Sequence, residues 1–157
     1  MQAVDAYRKL DSLGKRGVII GGGTVGCELG LELAESNRDV TIVEISRDLA
    51  SQGNMLYRIG LRKHMDKQAE HLCRLTETMC LAITDAGVLV CDKHASECML
   101  TADNVILAVG MKEDKVLAHS FYGITPDTAM VGDCRTVAKV LEATNEAYFI
   151  AANYKHL

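Results

Sequence analysis

The amino-acid sequence predicts an α/β fold with a central parallel sheet and a small antiparallel β-meander. An apolar run, a glycine cluster, a helical stretch and a second apolar run follow one another over residues 17–44, as in a β-α-β unit. Short strand-like segments separated by turn residues occupy residues 71–101. The stretch 103–110, DNVILAVG, is almost continuously apolar, which indicates a strand buried on both faces of a parallel sheet.

The composition limits the classes of partner. The chain has 157 residues, and a chain of this length buries roughly 68–70% of its unfolded surface, so a sizeable core is expected. Charged residues make up 24% and the net charge is -4, which favours neither nucleic acid nor an anionic membrane. No apolar run is long enough to span a bilayer, and the N-terminus lacks the apolar segment of a secretory signal. We therefore expect a cytoplasmic protein.

The first half of the chain alternates helical and strand patterns. Residues 3–14 carry apolar positions at helical spacing, which predicts a lead-in helix ending at Gly14. The segments that follow are predicted to be a strand at 18–20, a helix at 24–36, a strand at 40–43, a loop at 45–53 and a helix at 54–67.

The glycines between the first strand and its helix fit the pattern G-x-G-x-x-G. Gly21 permits a tight turn, Gly23 lets the backbone approach a pyrophosphate, and Gly26 lets the helix pack on the strand. The free N–H groups at the start of the helix, at Thr24 and Val25, then favour the pyrophosphate without a basic side chain. The pattern predicts a dinucleotide-binding turn, although glycines that only pack a β-α-β unit would read the same way.

The second predicted strand ends in a carboxylate, Glu44. It lies 18 residues after Gly26, where an acidic side chain accepts hydrogen bonds from both hydroxyls of an adenosine ribose. A 2′-phosphate would lose these contacts and meet a like charge, so NADH is expected to bind better than NADPH. Arg47, three residues further on, is the competing candidate that could pair with a phosphate.

The second half of the chain begins with four short strand-like segments, HLCRL, MCLAIT, GVLVC and ECMLT. Turn signals separate them, so they predict an antiparallel meander rather than further β-α-β units. The strand at 103–110 then returns to the parallel sheet, with Gly110 allowing close backbone approach where it ends. A polar connection at 111–125, a strand at AMVGD (129–133) and a helix at 136–154 are predicted to complete the chain.

The six cysteines contain no C-x-x-C pair, which argues against a zinc knuckle, a dithiol redox centre or an iron–sulfur cluster. Cys91, His94 and Cys98 could be drawn as a three-ligand metal site, but they lie where a hairpin turn is expected. We therefore predict free thiols in a reducing compartment and no metal site.

These motifs carry a family resemblance. VIIGGGTVGCELGLELAE, TIVE, DNVILAVGMK and MVGDC followed by a helix resemble the two-dinucleotide-binding-domain flavoprotein disulfide-reductase superfamily. More narrowly, they are similar to the C-terminal part of bacterial old-yellow-enzyme-like NADH:flavin oxidoreductases, the 2,4-dienoyl-CoA reductase and 2-enoate reductase group. The resemblance covers nearly the whole chain and implies a Rossmann-like FAD/NAD(P)-binding fold.

The resemblance implies a larger parent protein, with an N-terminal barrel that carries FMN and an iron–sulfur cluster, and an FAD-binding domain interrupted by an NAD(P)H-binding domain. Because this sequence holds one glycine motif, we interpret it as a fragment that lacks the barrel and half of the FAD domain. Residues 1–16 are then a lead-in segment, 17–125 the NAD(P)H-binding domain and 126–157 the last strand and helix of the FAD domain. Asp133 would meet the flavin ribityl chain.

The reaction implied for the parent is hydride transfer from NADH to FAD for reduction of an unsaturated substrate. No side chain of this chain is then needed as a catalytic acid or base, and Gly110 would line the cofactor cleft. The expected partners are the dinucleotide, the missing parent domains and, through exposed apolar positions after residue 126, a second copy. Two alternatives remain open, a non-catalytic dinucleotide sensor and a standalone reductase that holds its own flavin.

Overall fold

The computed structural model of the chain describes residues 1–153, which fall into two compact units. The first unit is Met1–Gly110, and the second begins at Met111. The first contains α1 (Ala3–Tyr7), β1 (Arg16–Ile20), α2 (Thr24–Glu35), β2 (Asp39–Val43), α3 (Met55–Lys67), β3 (Leu72–Leu75), β4 (Thr78–Thr84), β5 (Gly87–Asp92), β6 (Glu97–Leu100) and β7 (Asn104–Leu107). The second contains α4 (Lys115–Ser120) and α5 (Val140–Asn153).

A four-stranded parallel sheet forms the centre of the first unit, with the strand order β3-β2-β1-β7. Ile19 of β1 lies opposite Ile42 of β2 on one side and opposite Ile106 of β7 on the other. The chain therefore runs outward from β1 to β3 and returns with β7 on the far side of β1. The predicted α/β class and the return of the chain to the parallel sheet are confirmed, but the strand is shorter than the predicted 103–110: β7 is an edge strand in which only Ile106 is buried.

A three-stranded antiparallel meander, in the order β4-β5-β6, covers one face of this sheet. Val88 and Val90 of β5 are buried against Val18 of β1 and Val43 of β2. Because alternate residues of a strand point to the same face, the β5 pattern GVLVC presents both valines to the sheet. The predicted meander is confirmed for these three strands.

Helices cover the opposite face of the parallel sheet. Ile19, Ile42 and Ile106 are fully buried there, against the apolar side of α2 that carries Leu29 and Leu33. Gly30 lets α2 approach closely, because a Cβ at that position would lie 2.8 Å from Cδ1 of Ile42. The close packing of α2 on β1 and β2 fixes the start of this helix beside the end of β1.

The sequence assigns the segment HLCRL to the meander, and this assignment is wrong. Its residues form β3, which pairs in parallel with β2 and places Leu75 opposite Val43. A parallel pair needs a crossover connection, and α3 supplies it. β2, α3 and β3 thus make a second β-α-β unit.

The predicted lead-in helix over residues 3–14 is also wrong in its length. α1 ends at Tyr7, and Lys9 adopts φ −134° and ψ 24°, outside the helical region. A short 3-10 helix, Leu10–Ser12, follows. The segment still buries Ala3, Ala6 and Leu13 against the helical side of the core.

The second unit departs most from the sequence prediction. AMVGD does not form a strand: Val131 is extended, at φ −136° and ψ 153°, but Gly132–Cys134 is a 3-10 helix. The connection at 111–125 is not wholly irregular, since it contains α4, whose first turn is capped by Asp114 accepting a hydrogen bond from the Leu117 N–H at 2.9 Å.

The predicted C-terminal helix is present as α5, which begins at Val140 rather than at 136; its predicted last residue, 154, lies outside the described residues. No residue of α5 is buried, and its apolar positions Val140, Leu141, Tyr148 and Phe149 are exposed. Among residues 1–153, no helix combines the length and the apolar character needed to cross a bilayer.

Candidate functional site

The glycine turn lies at the carboxyl edge of the parallel sheet, beside β1 and β7. The order of the strands reverses at this point of the sheet. β2 and β3 follow on one side of β1, whereas β7 lies on the other side. In open parallel sheets, ligands bind in the crevice at this switch point. The turn after β1 and the residues after β7 form its two sides, with Gly21 N–H bonded to Val43 O at 2.9 Å and Ala108 N–H bonded to Ile20 O at 2.7 Å.

Two of the predicted glycines are required by the close approach of backbone to backbone. Gly21 has φ +106°, and a Cβ there would overlap the carbonyl oxygen of Ala108. A Cβ on Gly26 would overlap the carbonyl oxygen of Gly21 and lie 3.2 Å from Cβ of Ala108. The first glycine therefore makes the turn and the third lets α2 pack on it, as the motif predicts.

Gly23 differs from these two because the chain itself does not require a glycine there. Its φ is −66° and its ψ is −177°, which any residue adopts, and a Cβ would meet no atom within 4 Å. The residue is exposed and forms the N-cap of α2, and no described side chain caps this helix. Its open side therefore leaves room for a ligand against the backbone.

The first turn of α2 presents its backbone at this opening. Thr24 and Val25 are the first two helical residues, where N–H groups have no partner within the helix. Together with the positive end of the helix dipole, such groups form an anion-binding site. The structure brings these residues and Gly23 together at one place, as predicted, and their contact with a pyrophosphate stays a prediction.

Glu44 follows β2 and its carboxylate is built into the turn. Oε2 accepts a hydrogen bond from the Gly22 N–H at 2.6 Å, and Oε1 accepts one from the Ser46 N–H at 2.8 Å and another from the Ser46 hydroxyl. A carboxylate offers about four acceptor positions. Glu44 therefore anchors the glycine turn and still has acceptor capacity on Oε2 for a ribose hydroxyl.

The hydrogen bonds to Glu44 set its charge state. Burial of the carboxylate acts to raise its pKa, but the hydrogen bonds from the Ser46 hydroxyl and from the N–H groups of Ser46, Gly22 and Ile45 outweigh this effect. The pKa of Glu44 is consequently below its ordinary value. The side chain is therefore ionised at neutral pH, and its contact with a ribose stays a prediction.

Stability is expected to fall on acidification partly through Glu44. Because its pKa is lower in the folded than in the unfolded chain, its contribution is complete above the ordinary value of 4.5 and is lost as the pH falls through the lowered value. When the pH is lowered from neutral to below the pKa of Glu44, the Glu44→Gln variant should therefore lose less stability than the wild type. Urea unfolding at a series of acidic pH values measures the difference, with Glu97→Gln, an exposed position on β6, as the control. Identical pH profiles for the wild type and Glu44→Gln would contradict the assignment.

Four residues of this site are not among the sequence predictions. Position 22 requires a glycine, because a Cβ on Gly22 would overlap Cδ2 of Leu49 and lie 2.8 Å from Cβ of Glu44. Leu49 and Ala50 are buried, and Ala50 N–H bonds Gly22 O at 2.8 Å, so the loop after β2 packs on the turn. Ser46 holds the carboxylate. The middle glycine of the run GGG and the two apolar residues in the loop were the available signals.

Gly110 and Asp133, the remaining predicted site residues, lie in different compact units. Gly110 follows β7, is exposed, has φ +93° and would carry a Cβ in open space. Asp133 lies in the 3-10 helix of the second unit, where its Oδ1 accepts a hydrogen bond from the Ala138 N–H at 3.3 Å. The cleft-lining role of Gly110 and the flavin contact of Asp133 stay predictions.

All six cysteines are free thiols. Cys27 lies in the first turn of α2, and its Sγ donates to Gly22 O in the glycine turn at 3.3 Å. Burial raises the pKa of Cys27 to about 11, so this thiol is protonated at neutral pH and is a packing group rather than a nucleophile. Within residues 1–153, no group of three or more His, Cys, Asp and Glu side chains is arranged to hold a metal ion.

Comparison with known proteins identifies the family of this arrangement. Residues 2–130 match the family described as pyridine nucleotide-disulphide oxidoreductase. The match includes the first unit from its second residue onward, with the glycine turn, Glu44 and Gly110.

Individual relatives match almost the whole chain. The cinnamate reductase of Clostridium sporogenes is 28% identical over 152 residues, which are 96% of this chain and 23% of that protein. The NADH oxidase of Thermoanaerobacter brockii is 29% identical over 135 residues, 85% of this chain and 20% of that protein. A 2-naphthoyl-CoA reductase structure superimposes with a TM-score of 0.80 at 26% identity, over 94% of this chain and 24% of that one. The chain thus spans about a fifth to a quarter of the length of the relatives that it matches.

Proposed function

The chain belongs to the pyridine nucleotide-disulphide oxidoreductase family, and we propose on this premise that residues 17–125 are the NADH-binding domain of a larger flavin-dependent oxidoreductase. The observation that carries the proposal is the open side of Gly23 at the start of α2, where a Cβ would have no atom of residues 1–153 within 4 Å. A Cβ is excluded at Gly21, Gly22 and Gly26 by the chain itself, whereas at Gly23 only a ligand would exclude it.

The residues at the turn suit a dinucleotide in two places. The N–H groups at Thr24 and Val25 would donate to the pyrophosphate, and ionised Glu44 would accept from the adenosine ribose. Hydride chemistry is supplied by the nicotinamide and the flavin when they are bound. The part of this chain is to bind and orient, with Gly110 at the side of the crevice, and no side chain of it acts as an acid or base.

The similarity to a cinnamate reductase and to a 2-naphthoyl-CoA reductase supports a reductase of unsaturated acids or their CoA esters as the parent. NADH would supply hydride to FAD, and electrons would pass on through an iron–sulfur cluster to FMN and an unsaturated substrate, with the cluster and FMN outside this chain. FAD would be held partly by the segment after residue 126, with Asp133 at the ribityl chain. The narrower placement in the 2,4-dienoyl-CoA and 2-enoate reductase group belongs to this proposal.

The proposed partners follow from the same interpretation. The exposed apolar positions of α5, which include Tyr148 and Phe149, would pack against the missing half of the FAD domain or, in this chain alone, against a second copy. Free thiols at all six cysteines support a reducing compartment, the cytoplasm. A standalone reductase would instead retain tightly bound FAD and be yellow.

We expect the chain to bind NADH more tightly than NADPH, and Glu44 to set this preference. Loss of ribose contacts and repulsion between the 2′-phosphate and the carboxylate each disfavour NADPH by ~1 to 3 kcal/mol. Glu44→Gln keeps an acceptor oxygen for the Gly22 N–H but removes the charge. The affinity for NADH should therefore fall, and the difference in affinity between NADH and NADPH should become smaller. Calorimetric titration of both nucleotides at one ionic strength measures this.

The control for this titration is Glu97→Gln, which removes an exposed carboxylate from β6 and should leave both dissociation constants unchanged. If the wild type binds NADPH more tightly than NADH, Glu44 does not set the preference, and Arg47 becomes the residue to test for a contact with the 2′-phosphate. The absence of binding of either nucleotide to the folded chain would overturn the proposed function itself.

A further inference from the structure

Arg58 has an unusual environment for an arginine on an outer helix. It lies in the second turn of α3, whose start is fixed by the Asn54 side chain accepting from the Leu56 N–H at 2.9 Å. The residue is half-buried, and its Nε is fully buried without a hydrogen-bond partner among the described residues. Buried polar donors in folded proteins are almost always paired, so this guanidinium is unusual in having no acceptor for its Nε among the described residues, and it is not committed to a structural hydrogen bond there.

The stem of this side chain lies beside the candidate site. A Cβ built on Gly53 would be 3.2 Å from Cγ of Arg58 and 3.6 Å from Oγ1 of Thr24, so the two side chains flank one glycine. α3 is also held to α2 directly, because the Tyr57 hydroxyl donates to Glu28. These contacts place the stem of Arg58 near the first residue of α2, within reach of its guanidinium.

The neighbouring carboxylate does not neutralise Arg58. Asp48 accepts its hydrogen bond from Arg62 Nη2 at 2.9 Å. That bond is the main reason that the pKa of Asp48 is lowered, and the charges of Arg62, Arg58 and Arg47 lower it further against the opposing effect of burial. Arg58 therefore lies within the electrostatic range of Asp48 but makes no ion pair with it in the described chain.

We propose that Arg58 is a dinucleotide-binding residue that donates to the pyrophosphate held at the start of α2. This inference rests on the proposed function and adds to it a cationic side chain in a site that the glycine motif builds from backbone alone. The pyrophosphate is the ligand group that would lie beside Thr24, and a guanidinium donates strong charge-assisted hydrogen bonds to phosphate oxygens. The sequence gives no sign of this role, because Arg58 resembles its neighbours on a basic helix.

The test compares ligands that differ in their phosphates. Arg58→Gln should raise the dissociation constants of NADH and ADP about tenfold, the usual effect of losing one charge-assisted hydrogen bond. The dissociation constant of adenosine should stay unchanged. Lys63→Gln is the matched control, since Lys63 is an exposed cation on the same helix and should have no effect beyond general screening. Calorimetric titrations at two salt concentrations measure NADH and ADP, and competition against NADH measures adenosine.

Two further variants separate binding from folding. Arg58→Met keeps the length of the stem and removes the unpaired donor, so its thermal unfolding midpoint should equal or exceed that of the wild type while NADH and ADP weaken as in Arg58→Gln. Arg58→Lys retains the charge and should recover part of the loss. This pattern would support a phosphate contact, because a purely structural role would lower the midpoint and weaken adenosine equally.

Three results would overturn the inference. They are unchanged ADP affinity in Arg58→Gln and Arg58→Met, an equal loss for adenosine and ADP, or a loss seen only with nucleotides that carry a 2′-phosphate. Each of them leaves the proposed function standing if the wild type binds NADH. Failure of the folded wild type to bind NADH is a separate result, which would remove the proposed function and this inference with it.

Discussion

Replacing Gly26 by alanine is expected to destabilise the chain by about 3 kcal/mol, the upper part of the range for overpacked cores. The added Cβ would overlap the carbonyl oxygen of Gly21 and press on Ala108. Neither of these neighbours is the movable end of a long side chain, so α2 itself would have to shift away from the sheet. Urea unfolding followed by circular dichroism measures the change in the free energy of unfolding.

Gly60→Ala is the matched control for this experiment. Gly60 lies inside α3, and a Cβ there would meet no atom within 4 Å. Alanine should therefore stabilise the chain by roughly 0.5–1 kcal/mol through its higher helix propensity. A Gly26→Ala chain as stable as the wild type would show that α2 does not pack on the turn as described.

Gly23→Val is expected to abolish high-affinity NADH binding while the fold is retained. The backbone of Gly23 is already extended and its Cβ direction is open, so the unfolding free energy should fall by no more than about 1 kcal/mol, the cost of a poorer N-cap residue on α2. The valine side chain would occupy the space over the first turn of α2 and separate a pyrophosphate from two or more N–H donors. Loss of at least about 3 kcal/mol, roughly a hundredfold in the dissociation constant, is expected. Calorimetry measures the affinity.

The comparison with Gly26→Ala sharpens this test, since Gly26→Ala should lose much more stability than Gly23→Val, whereas Gly23→Val should lose mainly NADH binding. Gly23→Ala should show a smaller loss of affinity than Gly23→Val, because its side chain is shorter. If Gly23→Val binds NADH as tightly as the wild type, the ligand does not approach α2 from the open side of Gly23. If Gly23→Val unfolds, the space beside it is not open in solution.

The glycine turn was predictable because each of its features is local. The order of strand, glycines, helix and strand lies within residues 17–44, and the three motif glycines have separate mechanical reasons. The roles of Gly22 and Ser46 were not predictable in the same way. They depend on where Leu49 and the carboxylate of Glu44 lie after the loop has folded back on the turn.

The assignment of β3 shows the limit of strand patterns. HLCRL has the length and apolar content of a strand, but nothing in five residues distinguishes a parallel from an antiparallel partner. The deciding feature is α3 before it, since a helical crossover permits parallel pairing with β2. The meander strands that follow lack such helices, and their antiparallel order was predicted correctly.

The second unit was predicted least well, for a different physical reason. Ala129, Met130 and Val131 have the composition of a strand, but strand formation requires a neighbouring ladder, and the described chain provides none for them. The short helix α4 had a detectable signal in Asp114, a good N-cap residue, which a reading of 111–125 as a polar connection overlooked.

The position of β7 has a consequence for how the chain folds during synthesis. β1 must find a neighbour that lies far along the chain, as the contact of Arg16 with Asp103 across 87 residues shows. At translation rates of roughly 5–20 residues per second, about 4 to 17 seconds pass between the synthesis of the two strands. During that interval β1 lacks β7, and Gly21 has no Ala108 carbonyl to close against. Such non-local pairing slows folding, so the turn encoded near the start of the sequence is completed only after the last strand of its sheet emerges from the ribosome.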